Sequence, residues 1–395
     1  MPTEHGAVQF SLPTVPANEA VFATIVSTHD SGIVSLLLDR YGRQLSSRSE
    51  GLMDYLRVVI NHPIPIRAAW DYAFGRAHLA LKEGKVDPVE AAIRVGICYA
   101  RAGHYGSWSA TLSTPGPLQI GPCVAEGVTS VQVDSGAGFG VWIRMRLQAG
   151  DYVEWHSDGG DDIWHGPWCE ALGDVGMHKP IWLLNRSALP VDLAGGDIFR
   201  ECEPVEQVSD EAKQSILAGI ACLQRNAGIY ITWIERVLNG LVVSARKEEF
   251  RLVSGSWEDA PGLVHLSCPH AGIDIAEILV HESAHQYFYM LQRVGPVDDA
   301  SDSELYWSPP IRKARPLSRI LMAYHALANT ELLYEAVRRN PDTNDEDLRY
   351  VLSNQADLRA ALEALDVPLR DNPALTDLGR GLYVPLADRL SEIWT

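Results

Sequence analysis

Three observations predict an α+β fold for this chain of 395 residues. Apolar residues recur at three- and four-residue spacing through the first hundred residues and again after residue 206, the period of an amphipathic helix. Between them Gly and Pro are frequent and short runs alternate apolar with polar, the period of a half-buried strand. An unbroken apolar stretch then surrounds His281-Glu282-Ser283-Ala284-His285 and reads as a buried helix. The expected layout is a helical N-terminal part (1–105), a β-rich section (106–205) and a mainly helical C-terminal part (206–395) that carries the H-E-x-x-H helix. No internal repeat or low-complexity linker divides these parts, so they are expected to share one core.

Taken in order, the spacing predicts helices over 18–38, 50–60, 66–82 and 88–102. Pro63 and Pro65 punctuate the second and third, and Asp87-Pro88 is an N-cap followed by Pro at the first helical position, where its missing N–H costs nothing. Thr129-Ser130-Val131-Gln132-Val133 and the run 141–147 have period two, and Pro180-Ile181-Trp182-Leu183-Leu184 is a further strand. Helix resumes after Ser209, over 210–227 and 229–243. A short strand over 262–266 precedes the H-E-x-x-H helix, and helices follow over 317–339, 345–365 and 385–394.

Composition limits the function. Hydrophobic residues make up 46% and charged residues 21%, enough apolar side chain for a sizeable core. A net charge of -18 argues against sequence-independent binding to nucleic acid or to an anionic membrane, although a local Arg still suits an anionic cosubstrate. The stretch Met1-Pro2-Thr3-Glu4-His5 lacks the basic and apolar regions of a signal peptide, and no run is read as a membrane span. Cys98, Cys123, Cys169, Cys202, Cys222 and Cys268 are scattered without C-x-x-C spacing, as expected of core thiols in a reducing cytoplasm.

His281 and His285 lie four residues apart, so on a helix both imidazoles face one way and can reach one transition-metal ion. Glu282 stands beside them as an acid or base. The bland alternative, two core histidines and a glutamate without a task, is costly in so apolar a helix. The motif names a metal site and leaves the reaction open: a zinc peptidase, an iron oxygenase, or a peptide-binding protein with a decayed site.

A third ligand is expected from the helix over 317–339, which offers His325 and Glu331. Six residues apart, they point about 120° away from each other, so only one faces the metal. Glu331, in Asn329-Thr330-Glu331, is similar to the glutamate that completes zinc sites in H-E-x-x-H peptidases; its plain alternative is a helix-pairing carboxylate. His325 is preferred, because Leu321, Met322 and Leu332 around it indicate a buried helix where an imidazole needs a partner, which an ordinary core contact also supplies. Arg315-Pro316-Leu317 places a guanidinium at a helix start, suited to a carboxylate, with Arg312 and Arg319 as further candidates against the reading of a basic surface loop. Two weaker signals are His156-Ser157-Asp158, an H-x-D without a convincing later His-plus-Arg pair, and the acidic turn with Asp192 and Asp197, which turn chemistry also explains.

Several stretches, in order, carry a family likeness: His62-Pro63 with Ala68-Ala69-Trp70; Gly196-Asp197-Ile198-Phe199-Arg200; Ser254-Gly255-Ser256 with Pro261-Gly262-Leu263; the H-E-x-x-H segment; Trp307-Ser308-Pro309; and Arg315-Pro316-Leu317. Over roughly residues 55 to 335 the chain resembles the H-E-x-x-H proteins of ribosomal peptide maturation, found free-standing or fused to radical-SAM enzymes. Those with known activity are iron(II)- and 2-oxoglutarate-dependent peptide β-hydroxylases. The resemblance implies Fe(II) on His281, His285 and a third ligand, 2-oxoglutarate as cosubstrate, and hydroxylation of an amino-acid side chain in a peptide substrate. It gives Glu282 no obligatory proton transfer, whereas a zinc peptidase would need it to take a proton from water. The chain departs from the family pattern at Pro310-Ile311, where Trp-Arg is frequent, and at Met322 and Leu327, where some members are expected to carry polar side chains.

Overall fold

The computed structural model describes residues 4–13, 19–61, 70–72, 75, 81, 84, 86–120, 123–137, 140–157, 162–164, 170–171, 181–186, 189, 203–245 and 252–394. Most of the expected helix over 66–82, Pro63, Pro65, the 196–200 turn, Asp158, Asp192 and Asp197 lie outside these residues.

The N-terminal part is helical: α1 Glu4–Ser11, α2 Glu19–Arg48, α3 Leu52–Val59 and α4 Pro88–Arg101. Asp87 caps α4 as expected, its carboxylate accepting from the Val89 N–H at 2.8 Å. The same side chain receives Arg48 from the end of α2 and the Ser113 hydroxyl, which ties two helices to the neighbouring sheet. Helix α2 runs ten residues beyond the expected end because Leu45 continues its buried face. Contrary to the expectation from sequence, Ala20–Arg48 is long and apolar enough to cross a membrane by length and composition, and 41% of its apolar 18-residue stretch is buried inside the protein. Helix α1 was not expected; it packs against the last helix of the chain, and Ser11 Oγ donates to the Leu382 carbonyl at 2.7 Å.

The β-rich section forms a six-stranded antiparallel sheet in chain order: β1 Ser49–Glu50, β2 Gly106–Ile120, β3 Cys123–Gly136, β4 Gly140–Leu147, β5 Tyr152–Ser157 and β6 Asp162–Trp164. The long strand β2 accommodates Pro115 and Pro117 where its register with β3 shifts. A five-stranded mixed sheet has the order β10-β11-β9-β8-β7, built from β7 Glu170–Ala171, β8 Trp182–Leu184, β9 Gly240–Ala245, β10 Ser254–Ser256 and β11 Leu263–Cys268. Strand β9 lies parallel to both neighbours, so this sheet joins residues on either side of position 205.

Helices α5 Asp210–Ala227, α6 Ile229–Val237, α7 Gly272–Gln292, α8 Leu317–Arg339, α9 Asp345–Leu369 and α10 Asp377–Trp394 complete the described elements, with a hairpin of β12 Tyr306–Ser308 and β13 Lys313–Arg315. The expected helix over 229–243 stops at Val237: Leu238 is extended, and residues 240–245 become β9, which is buried along nearly its whole length. A strand flanked by parallel neighbours needs an unbroken apolar run, and such a run carries no period to distinguish it from helix. Helix α10 starts eight residues before Pro385, the position where the sequence reading began it.

Helix α7 sits between α5 and α8 and against the mixed sheet. Its contact with α5 is close enough that a Cβ on Gly219 would lie 2.4 Å from Ile275 Cγ2. The buried apolar residues form one main cluster that extends from Phe10 to Ile393. The helical and sheet content, with helical N- and C-terminal parts around a central β section, is that of an α+β protein.

Candidate metal centre

Helix α7 carries His281 and His285 one turn apart, their rings 4.8 Å between centroids and nearly perpendicular. Both line a cavity of about 120 Å³ closed by α8 and by the β12–β13 hairpin. The hairpin contributes Ser308, Pro310, Ile311 and Arg315; α8 contributes Arg319, Met322, Ala323 and Leu327. Spacings of three and four residues place the α8 group on one side of that helix.

Burial, then the neighbouring His281, His325 and Arg319, hold the His285 pKa well below the usual histidine value, so its imidazole is neutral, the form that binds a metal. Its Nδ1 is buried and has no hydrogen-bond partner. A neutral imidazole with a buried, unshared nitrogen fits a metal ligand.

Glu282 points elsewhere. It is buried, and Ser254 Oγ and Ser256 Oγ of β10 donate to its two carboxylate oxygens at 2.7 and 2.8 Å. Gln286, one residue beyond His285, is the second anchor of α7. Its Oε1 accepts from the Gly262 N–H at 2.9 Å and from Trp70 Nε1 at 3.0 Å, while its Nε2 donates to the Leu263 carbonyl. Gly262 has φ +81, and a Cβ there would stand 2.7 Å from the Trp70 carbonyl, so this approach requires glycine. Ser-x-Ser, Pro-Gly and the early Trp, dispersed in the sequence, thus converge on the helix that carries the two histidines. Neither Gln286 nor the serine–glutamate pairing emerged from the sequence.

Neither expected third ligand lines the cavity. His325 is fully buried, but its Nε2 donates to the Ser11 carbonyl at the end of α1 (2.9 Å), and its ring meets the edge of Trp233. Burial pushes its pKa down to about 4. Glu331 faces α9 and α10: Gln355, Arg359 and Trp394 all donate to its Oε1. Among the described residues no group of three or more His, Cys, Asp or Glu side chains is placed to hold a metal. Among the α8 residues that line the cavity, Arg319 Nη1 lies 3.4 Å from the Met322 sulfur.

The expected cosubstrate residues divide as well. Arg315 and Arg319 line the cavity, whereas Arg312 does not; it is exposed, with φ +50 at the turn of the hairpin. His156 lies on β5, paired with Trp142 and Ile163 in the antiparallel sheet. A scan of the chain against protein-family models gives no match, and a search of curated proteins gives none.

Proposed function

We propose that this chain is an Fe(II)- and 2-oxoglutarate-dependent oxygenase that hydroxylates an amino-acid side chain, at the β-carbon, of a peptide in the cytoplasm. The observation that carries this reading is the meeting of His281 and His285 with Arg315 and Arg319 in one small, largely apolar cavity. The ordered resemblance to H-E-x-x-H peptide β-hydroxylases supports it from the sequence.

Bound iron with 2-oxoglutarate and O2 would supply oxidation of an unactivated C–H bond to an alcohol, with succinate and CO2 as the other products. The protein's own work is to hold and orient. His281 and His285 present imidazole nitrogens from one helical face. Ser254 and Ser256 hold Glu282 and so fix the rotation of α7; Glu282 is a positioning residue in this reading. Arg315 and Arg319 present fork-shaped donors to the oxoacid carboxylates. Ile311, Ala323 and Leu327 limit water around the site. Exposed Trp307, next to cavity-lining Ser308, offers the hairpin as the place where a peptide lies. Buried, unbridged Cys98, Cys222 and Cys268 support a reducing compartment.

The zinc-peptidase alternative is less well supported. Both oxygens of Glu282 already accept hydrogen bonds, and Glu331 is engaged by α9 and α10. A non-catalytic peptide-binding role is favoured by one observation: among the described residues no third His, Cys, Asp or Glu side chain joins His281 and His285. The discriminating experiment incubates the protein with a degenerate peptide library, Fe(II), 2-oxoglutarate and O2. A product heavier by one oxygen, with matching succinate, is expected. Cleaved peptide with zinc alone gives the peptidase, and bound but unchanged peptide gives the binding role.

A further inference from the structure

We propose that the outer edge of β13 docks the substrate peptide as an added strand. The peptide it selects carries an acidic side chain two positions from the residue that reaches the cavity, with an apolar side chain between. This docking mode rests on the reading of the substrate as a peptide and requires neither the metal nor the reaction assigned above.

The hairpin is a sheet of two strands, and among the described residues β13 pairs with β12 alone. In an antiparallel ladder successive residues turn their N–H and C=O groups to alternate sides, so a three-residue strand with one neighbour turns those of at least one residue outward. Lys313 and Ala314 are exposed, which leaves that edge open. A third strand would lie about 4.8 Å beyond it and gain main-chain hydrogen bonds, as in peptide recognition by strand addition. Strand β13 ends on Arg315, a cavity-lining residue, so a peptide along this edge is carried to the cavity.

Side chains set the register. Lys313 pairs with Ser308 and Arg315 with Tyr306, whereas Ala314 pairs with Trp307. The two-residue period puts Lys313 and Arg315 on one face of the hairpin and Ala314 with Trp307 on the other. Ser308 and Arg315, both on the first face, line the cavity. On the second face Trp307 is 59% exposed, and its partner Ala314 is too small to cover it. A guest residue opposite Ala314 therefore turns its side chain towards the indole, and an apolar one removes both from water.

Charge selects the neighbouring position. No Asp or Glu occurs from Leu305 to Thr330, a stretch that holds Arg312, Lys313, Arg315 and Arg319 in a chain of net charge -18. Among the described residues Arg312, Lys313 and Arg315 form no ion pair. A lysine alone would only guard the edge against self-association. Adjacent unpaired cations beside an exposed Trp select an acidic, partly apolar guest. The guest carboxylate sits opposite Lys313, next to Arg312 in the chain, and Arg315 is left to the cavity.

The test is fluorescence anisotropy of the full-length, metal-free protein with labelled synthetic peptides in which Val separates a central residue from Glu, in both chain orders. Replacing that Glu by Lys is expected to weaken binding about tenfold at low salt, a difference that shrinks at high salt. N-methylating alternate backbone nitrogens is expected to abolish binding for one alternate set and spare the other, the signature of a strand bonded along one edge. Arg312→Glu with Lys313→Glu should reverse the preference towards the Lys peptide, and Trp307→Ser should remove the preference for Val over Ser between the two positions. Equal binding of the Glu and Lys peptides, equal effects of both methylation sets, or no binding of any peptide overturns the docking edge. Acidic peptide that docks but stays unchanged with Fe(II), 2-oxoglutarate and O2 refutes the oxygenase and keeps the docking edge. Hydroxylated product whose yield ignores the acidic residue does the reverse.

Discussion

His325 has a measurable signature that separates a core histidine from a metal ligand. Its side chain is fully buried and its pKa is about 4, against about 6.5 for an unperturbed histidine. Burial depresses it, although the neighbouring Ser11, Phe10 and Ala284 carbonyls act in the opposite direction. The folded protein therefore keeps His325 neutral while the unfolded chain takes up a proton near pH 6.5, so stability present above that pH falls as the pH drops towards 4. A shift of this size corresponds to about 3 kcal/mol in full, of which about 2 kcal/mol is lost by pH 5. Replacing the ring by a non-titrating amide isolates this contribution, because the other groups titrate in both proteins. Urea unfolding of the wild type and His325→Gln at pH 7 and pH 5 should show the wild type losing about 2 kcal/mol more than the variant between the two pH values. Metal stoichiometry should be the same in both proteins at pH 7. Parallel stability losses, or a variant that no longer binds metal, would refute the assignment of His325 to the α1–α8 contact.

Changing both Ser254 and Ser256 to Ala releases Glu282 and should weaken metal binding about 10- to 100-fold, measured by chelator competition, with the helix content by circular dichroism retained. Glu331→Gln weakens its ion pair with Arg359, which is one-third exposed, and should cost about 2 kcal/mol in urea unfolding without loss of metal. Gly219→Ala drives a methyl group into Ile275 and should destabilise the fold by about 1–3 kcal/mol, seen as a lower thermal midpoint.

The elements that could be read from sequence are those whose burial is one-sided and whose ends carry a chemical stop. Asp87-Pro88 marks the start of α4, Pro316 precedes α8, and Asn344 caps α9 with its side chain on the Glu346 and Asp347 N–H groups. Strand β9 reads as helix in the sequence because Leu241-Val242-Val243 is buried on both faces and has no period. Helix α1 is only eight residues long, and its partners, α7 and α10, lie hundreds of residues away in sequence. At the site, four-residue spacing was sufficient to bring His281 and His285 together, and the start of α8 was sufficient to mark Arg315. The third position was not legible. The helical wheel shows that His325 and Glu331 diverge but not which side of α8 lines the cavity. That side carries Arg319, Met322 and Ala323, and His325 lies about 200° around the axis from Ala323. The i, i+3, i+4 grouping of Arg319, Met322 and Ala323 was the available signal, but its direction depends on packing.

Anaerobic absorption spectroscopy of the protein with Fe(II) and 2-oxoglutarate tests the oxygenase reading most directly. Chelation of the oxoacid to protein-bound iron produces a visible charge-transfer band that needs no peptide and no turnover. One such chromophore per chain is expected, abolished by His281→Ala and shifted to higher oxoacid concentration by Arg315→Ala. Iron bound without the band, or a band unchanged in His281→Ala, would contradict that reading.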